Sequence, residues 1–259
     1  MAANLAQLRS QVELALAGRV SSPFTLRDLS VEHVATGISE VDALAGGLPR
    51  GSLIEVFGPS CSGRTSLLFS ALGARTMDAE ACALIDGCDA FDPHSAEAAG
   101  IDLKQLLWVR CQNLEQSFRA TDFVLQAGGF GFIALDLSDV SHEQVHRVPL
   151  DTWFRFRRAI EGTSTILLVL EQEPHAKTCA SLVLQMEAEK SRWKSTLAPD
   201  RADFCRYPFS RLVNGSDIRA EMVRSRNHRG IKTDFQDVGE LRKRDDKSVV
   251  FETSEIWGF

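Results

Sequence analysis

The chain has 259 residues, a net charge of −6, 44% hydrophobic residues and 25% charged residues. This length and balance fit one large globular domain with small additions, and they exclude a disordered or fibrous chain. No segment reaches the roughly 18 consecutive apolar residues of a membrane-spanning helix. The N-terminal residues lack a signal-peptide pattern. We therefore expect a cytoplasmic protein with no membrane partner.

Cysteine usage and charge distribution narrow the class further. Six cysteines are scattered without the paired spacing typical of metal or redox sites, so we expect reduced thiols. Residues 201–247 hold 12 lysine and arginine residues against 8 aspartate and glutamate residues, which makes this segment basic within an acidic chain. Two interpretations stay open, contact with a polyanion and an ordinary solvated surface.

An amphipathic helix is predicted near the N-terminus, over residues 4–17. A break at residues 21–23 and a polar linker follow it. We divide the chain into residues 1–34, for oligomerisation or partner contact, and residues 35–259, the core. The helix packs either on its own core or on a partner, and both alternatives stay open. Its apolar residues are spaced three and four apart: Leu5, Leu8, Val12 and Leu16.

Strands and helices alternate along the core. Apolar runs of four to six residues between amphipathic segments are typical of parallel strands covered by helices on both faces. We therefore predict a doubly wound α/β fold. The predicted strands are 53–57, 81–85, 106–110, 132–137 and 166–170. The predicted helices are 65–75, 93–99, 114–126 and 150–160. Further, antiparallel edge strands are predicted near 181–187, 217–224 and 248–252.

One segment between a predicted strand and a predicted helix has the pattern of a phosphate-binding loop. Glycines at the first and sixth positions let successive backbone N–H groups point at phosphates, and the following helix adds its positive dipole end. Arg64 replaces the lysine of the Walker A pattern. Arginine could bind phosphate bidentately, or the loop could have lost nucleotide binding. The predicted ATP-binding residues are Gly58, Pro59, Ser60, Cys61, Ser62, Gly63, Arg64, Thr65 and Ser66.

A candidate metal-binding acid ends the predicted strand 132–137. Asp136 follows four apolar residues, and Thr65 is placed to share a Mg²⁺ ion with it. A carboxylate at a strand end is otherwise often a helix cap or a turn residue. With the phosphate loop upstream, we predict a Mg²⁺ site at Thr65 and Asp136.

At this point the sequence resembles bacterial RecA recombinase over roughly residues 35–190. The resemblance implies a RecA-type P-loop NTPase core, a mainly parallel sheet sandwiched by helices, with ATP and Mg²⁺ as ligands. The segments that carry it are Thr36-Gly37-Ile38-Ser39, Gly46-Gly47-Leu48-Pro49-Arg50-Gly51, Gly58-Pro59-Ser60-Cys61-Ser62-Gly63, Ile85-Asp86-Gly87-Cys88-Asp89-Ala90-Phe91-Asp92-Pro93 and Leu170-Glu171-Gln172.

The departures from this family concern hydrolysis and DNA binding. Cys88 stands where the resemblance places the catalytic glutamate, so the catalytic residues are open, with Asp89 and Gln172 as candidates. Gln172 matches the glutamine that senses the γ-phosphate. A thiol is a poor general base for water. The segments that correspond to the two DNA-binding loops are short, so we do not expect strand exchange.

A shortened chain of this kind resembles the ImuA-type accessory proteins of translesion synthesis. That resemblance implies a damage-tolerance factor of the SOS response, with a Y-family-polymerase-like protein and an error-prone polymerase as partners. Two alternatives stay open: an active DNA-dependent ATPase of the RecA family, and an interaction scaffold with a dead nucleotide site.

Two basic segments are candidates for contact with single-stranded DNA or with a partner. On the predicted helix 150–160, aromatic and basic residues interleave, which suits single-stranded nucleic acid. The aromatic residues can equally be core, with the arginines on a solvated stripe. The second segment, residues 224–232, either contacts phosphate across a subunit interface or is an ordinary surface loop. The candidates are Trp153, Arg155 and Arg158, and Arg224, Arg226, Arg229 and Lys232.

Overall fold

The computed structural model describes residues 31–195, 211–226 and 247–253. The predicted helix over 4–17 therefore lies outside the described residues, as do Arg229 and Lys232. The described residues from Glu32 onward belong to one compact unit, and the boundary between residues 34 and 35 stays a prediction. None of the helices within the described ranges is long and apolar enough to cross a bilayer.

Ten strands are present in the described residues. They are β1 (His33–Val34), β2 (Leu48–Pro49), β3 (Leu53–Phe57), β4 (Cys82–Asp86), β5 (Leu106–Arg110), β6 (Phe132–Asp136), β7 (Ile166–Glu171), β8 (Leu182–Ser195), β9 (Arg211–Ser225) and β10 (Ser248–Glu252). β1 and β2 form a small antiparallel pair. The other eight form one sheet in the order β10–β9–β8–β3–β7–β6–β4–β5.

Six consecutive strands of this sheet, from β8 to the edge strand β5, are parallel. β9 is antiparallel to β8, and β10 is antiparallel to β9. The predicted α/β class with antiparallel edge strands is therefore confirmed for β9 and β10. The prediction of an antiparallel edge strand near 181–187 is wrong, because that segment is β8, which lies inside the sheet and runs parallel to β3. β8 is longer than the prediction, because it runs past the end of β3 and pairs with β9 along its whole length.

Helices cover the sheet. They are α1 (Ser39–Ala45), α2 (Arg64–Met77), α3 (Pro93–Ala98), α4 (Leu114–Ala127), α5 (His142–His146) and α6 (Leu150–Ile160), with short 3₁₀ turns at Leu103–Gln105 and Lys177–Cys179. The sequence pattern does not predict α1 and α5. Both are only one or two turns long, so they contain too few residues to show a helical period.

The core lies on both faces of the sheet. Successive strand residues point to opposite faces, and on β7 Leu168 belongs to one buried apolar cluster and Val169 to the other. Leu67 of α2 joins the first cluster, and Phe118 of α4 joins the second. The parallel strands are therefore covered on both sides, and their carboxyl ends form one polar edge, as expected for a doubly wound sheet.

Candidate nucleotide site

The phosphate loop lies at the carboxyl end of β3, directly before α2. Gly63 has φ 87°, a left-handed conformation that favours glycine. A Cβ there would lie 2.7 Å from Cγ1 of Ile218 on β9. At Gly58, a Cβ would lie 2.2 Å from the backbone oxygen of Met186 on β8. The loop therefore needs both glycines, because the antiparallel hairpin passes directly against it.

A cavity of about 190 Å³ opens in front of the N-terminus of α2. It is lined by two groups of residues. The loop contributes Cys61, Ser62, Gly63, Arg64, Thr65 and Ser66, and the edge strands and the turn after them contribute Ser216, Ile218 and Thr253. Pro59 and Ser60 are exposed and do not line it. The second group carries no sequence motif, and only the fold brings it to the loop.

The cavity fits the phosphates of a nucleotide. It faces the N-terminal end of α2, which has 14 residues, and such an end attracts anions. Ser62 Oγ is buried there without a hydrogen-bond partner among the described residues. A buried hydroxyl usually has a partner, and a phosphate oxygen would supply one. Thr65 is exposed at the cavity, where its hydroxyl can reach a ligand.

Arg64 does not extend into solvent. Its side chain is buried, and Nη1 donates a hydrogen bond of 2.5 Å to the backbone oxygen of Glu171, the last residue of β7. Burial lowers the pKa of the guanidinium, and the nearby charge of Asp136 offsets part of this effect. Arginine nevertheless stays protonated in proteins. The loop therefore directs its cation towards the ends of β6 and β7.

Asp136 lies where the sequence places it, at the carboxyl end of β6. Burial raises the pKa of its carboxyl group, while hydrogen bonds from Ser138 lower it. The Ser138 N–H donates to Oδ1 at 2.9 Å. Gln172 Nε2 donates to the backbone oxygen of Ser138 at 3.1 Å. The structure thus brings Arg64, Asp136 and Gln172 to one stretch of the sheet edge.

Cys88 follows β4 and lies beside the same group. The Asp139 N–H lies 3.2 Å from its sulfur. Burial raises the pKa of the Cys88 thiol to about 11. The thiol is therefore protonated at neutral pH and cannot accept a proton from water.

The loop that carries Cys88 is held in place by a buried acid. Asp86 accepts hydrogen bonds from the N–H groups of Cys88, Ala90 and Phe91 at 3.1, 3.2 and 3.1 Å. Trp108 Nε1 donates to the same carboxylate at 3.2 Å. These hydrogen bonds order the loop, and the residue that it carries at position 88 is a cysteine rather than a carboxylate.

Asp89, the second candidate base, is directed elsewhere. It has φ 53° and accepts two hydrogen bonds from Arg110 at 2.7 and 2.9 Å. These bonds hold the pKa of the Asp89 carboxyl below its usual range. Arg110 ends β5, which lies on the opposite side of β4 from β6. The expectation that Asp89 serves the site is therefore corrected, since its partner turns it towards the outer edge strand.

The candidate DNA or partner contacts on α6 separate into two kinds. Trp153 is 1% exposed and packs against Phe118 with ring centroids 5.3 Å apart. This corrects its interpretation as a DNA contact, because the ring belongs to the core. Arg155 forms an ion pair of 2.6 Å with Asp122 on α4. Arg158 is exposed.

The second basic segment is only partly described. Arg224 Nη2 donates to the backbone oxygens of Lys177 and Ala180, the latter at 3.1 Å. It therefore holds the turn after β7 rather than pointing away from the protein. Arg226 is exposed.

Comparisons with known proteins agree with this architecture. Residues 18–142 match the family model of the RecA N-terminal domain. The crystal structure of a RadB recombinase superimposes with a TM-score of 0.56 at 15% sequence identity, covering 74% of this chain and 90% of that chain. The protein thus has a RecA-like recombinase fold, with a phosphate loop at the expected strand end.

Proposed function

We propose that the chain is a RecA-like accessory protein in DNA repair and damage tolerance, of the ImuA type that serves translesion synthesis. The match to the RecA N-terminal domain supports a role related to DNA repair or recombination. In this proposal the protein binds ATP and Mg²⁺ for a structural or regulatory purpose and hydrolyses ATP weakly or not at all. It acts by binding its partners.

One observation carries the nucleotide part of this proposal. The cavity at the loop has room for phosphates, and Cys88, at the position where the resemblance implies the catalytic acid, has a thiol whose pKa burial raises to about 11. Phosphates would bind to the loop N–H groups and Ser62 Oγ, with Thr65 and Asp136 as the residues for Mg²⁺. Bound Mg²⁺ would neutralise phosphate charge. In this proposal the Cys88 thiol offers no base for the attacking water.

The test is a titration of labelled ATP with Mg²⁺, run with a hydrolysis assay on the same sample with and without single-stranded DNA. We expect micromolar binding and hydrolysis close to background. The Asp136→Ala variant is the control, because a hydrolysis rate that this change leaves unaltered comes from contamination. Rapid hydrolysis stimulated by DNA and abolished in Asp136→Ala would instead establish the active ATPase. Absent or millimolar binding would favour the scaffold with a dead site.

The partner proposal rests on the resemblance and on the N-terminal segment. A Y-family-polymerase-like protein and an error-prone polymerase are the proposed partners, with single-stranded DNA as a further ligand and self-association through residues 4–17. Deleting residues 1–20 should abolish self-association or partner binding, measured by light scattering and by pull-down with the purified polymerases. Unchanged behaviour in both assays would contradict the assignment to this segment.

A further inference from the structure

Three histidines meet outside the nucleotide site. His142 and His146 lie one turn apart on α5, and His175 lies in the turn after β7. One ring nitrogen from each of the three lies within 4.8 Å of the other two. Residues four apart on a helix share one face, so α5 presents two imidazoles together and the turn supplies the third.

The spacing of the rings suits a tetrahedral metal ion. His175 Nε2 lies 3.1 Å from His142 Nδ1. Zinc binds histidine nitrogen at about 2.0–2.1 Å in tetrahedral sites, which puts two such ligands roughly 3.3 Å apart. The ligand atom of His146 lies within 4.8 Å of the other two, and this exposed ring can rotate to meet that distance. His142 is 41% exposed and His146 is exposed, so an ion can enter from solvent.

The buried side of the cluster has the support that metal ligands need. His175 is buried, and its Nδ1 lies 2.5 Å from Oε2 of Glu171, which is 1% exposed at the end of β7. A carboxylate that binds one ring nitrogen fixes the tautomer, so the other nitrogen, here Nε2, presents its lone pair to a metal. Nε2 is the atom that faces His142.

The turn that carries His175 is itself held by the sheet. Glu55, buried on β3, accepts hydrogen bonds from the His175 N–H at 2.8 Å and from the Ala176 N–H at 2.5 Å. These contacts fix the backbone on which the third imidazole stands. On the exposed side, Glu173 Oε2 lies 3.1 Å from His142 Nδ1. It is within reach of the remaining position of a tetrahedron.

We propose that His142, His146 and His175 form a zinc site, with Glu171 orienting His175 and with Glu173 or water as the fourth ligand. Imidazole is a preferred donor for zinc, and three histidines with one further ligand is a known ligand set. The ion would connect the segment after β6 to the segment after β7. The first segment begins directly after Asp136 and the second contains Gln172, so the metal would stiffen the edge of the sheet beside the nucleotide site.

The test uses the full chain, stripped with a chelator and dialysed. Zn²⁺ is titrated in competition with a chromophoric chelator, and Co²⁺ serves as a spectroscopic probe of tetrahedral geometry. We expect one equivalent of Zn²⁺ per chain and a tetrahedral Co²⁺ spectrum. At 100 times the dissociation constant, Zn²⁺ should raise the unfolding midpoint by roughly 5–10 °C. Less than a tenth of an equivalent at micromolar free Zn²⁺ would overturn the proposal.

Two variants assign the ligands. His146→Ala removes an exposed ring and should leave the fold intact, while zinc affinity falls at least about tenfold. The matched control is His94→Ala, another exposed histidine, located on α3, and it should bind zinc like the unmodified chain. Glu171→Gln should lower affinity by about 10–100-fold. If Glu171→Gln does not fold, His142→Ala takes its place. Unchanged affinity in His146→Ala would show that the ion binds elsewhere. ATP binding is measured separately, so neither result depends on the proposed nucleotide function.

Discussion

The loop after β3 and the loop after β4 lie at the same edge of the sheet and differ in the functional groups that they carry. The phosphate loop after β3 keeps its glycines, its cavity and a buried hydroxyl without a partner. The loop after β4 is held in place by Asp86 and carries the Cys88 thiol, at the position where the resemblance implies a catalytic carboxylate. In the proposed function, nucleotide binding and hydrolysis depend on separate segments, so hydrolysis can be lost while binding persists.

The largest expected effect comes from restoring the acid. If the loop after β4 is the only defect, Cys88→Glu should raise ATP hydrolysis by at least about 100-fold, since a positioned general base contributes about 10²–10⁴-fold. Phosphate release measures this rate. Cys88→Gln has similar size and no basic group, and it should stay at background. Equal rates in the two variants, with ATP bound in both, would show that hydrolysis lacks a further group besides the acid.

A second change addresses the phosphate loop itself. Gly63→Ala forces a side chain into φ 87° and against Ile218, so we expect ATP affinity to fall by more than about tenfold. Gly100→Ala is the matched control, because Gly100 has φ 86° and open space where a Cβ would stand.

Both glycine variants should be destabilised by about 1–2 kcal/mol from backbone strain. Gly63→Ala should lose a further ~1–3 kcal/mol from the contact with Ile218. Urea unfolding and ATP titration check both statements. Equal stabilities for the two variants would mean that Ile218 moves freely aside.

A third change tests whether the Arg64 guanidinium of the phosphate loop points at Glu171 or at bound phosphate. Arg64→Lys should tighten ATP binding by about tenfold, because the compact ammonium fits between phosphates and gives up the hydrogen bond to Glu171. Arg64→Met removes the charge and should weaken binding. Isothermal titration distinguishes the two. Tighter binding in neither variant would mean that the guanidinium already leaves Glu171 to bind phosphate.

The smallest effect is expected at Asp89. Its exposed ion pair with Arg110 contributes little, as such surface pairs do. Asp89→Asn should therefore leave the unfolding midpoint and the hydrolysis rate unchanged within error. Arg110→Gln removes the other partner of the ion pair and should likewise leave the unfolding midpoint and the hydrolysis rate unchanged. A loss of hydrolysis in Asp89→Asn alone would return Asp89 to the list of candidate bases.

Much of the fold could be predicted because its signals are local. The apolar runs of β3, β5 and β6 and the glycines of the phosphate loop each lie within a few consecutive residues. Asp136 could be placed at a strand end for the same reason. The short helices α1 and α5 could not, since one or two turns show no period. The sequence left the role of Trp153 open, because its spacing fits both a core helix and a DNA-binding face. In the structure its ring is buried in the core.

The sequence by itself determined the alternating architecture and the phosphate-loop pattern, because each depends on neighbours in the chain. The position of Cys88 as the expected acid is what the resemblance implies. Only the tertiary structure decided where Arg64 points, that Ile218 packs against Gly63 of the phosphate loop, and that Asp89 pairs with Arg110. It also decided that His142 and His175, 33 residues apart, lie within 3.1 Å. Such contacts join segments far apart in the chain, and parallel strand order brings them to one edge.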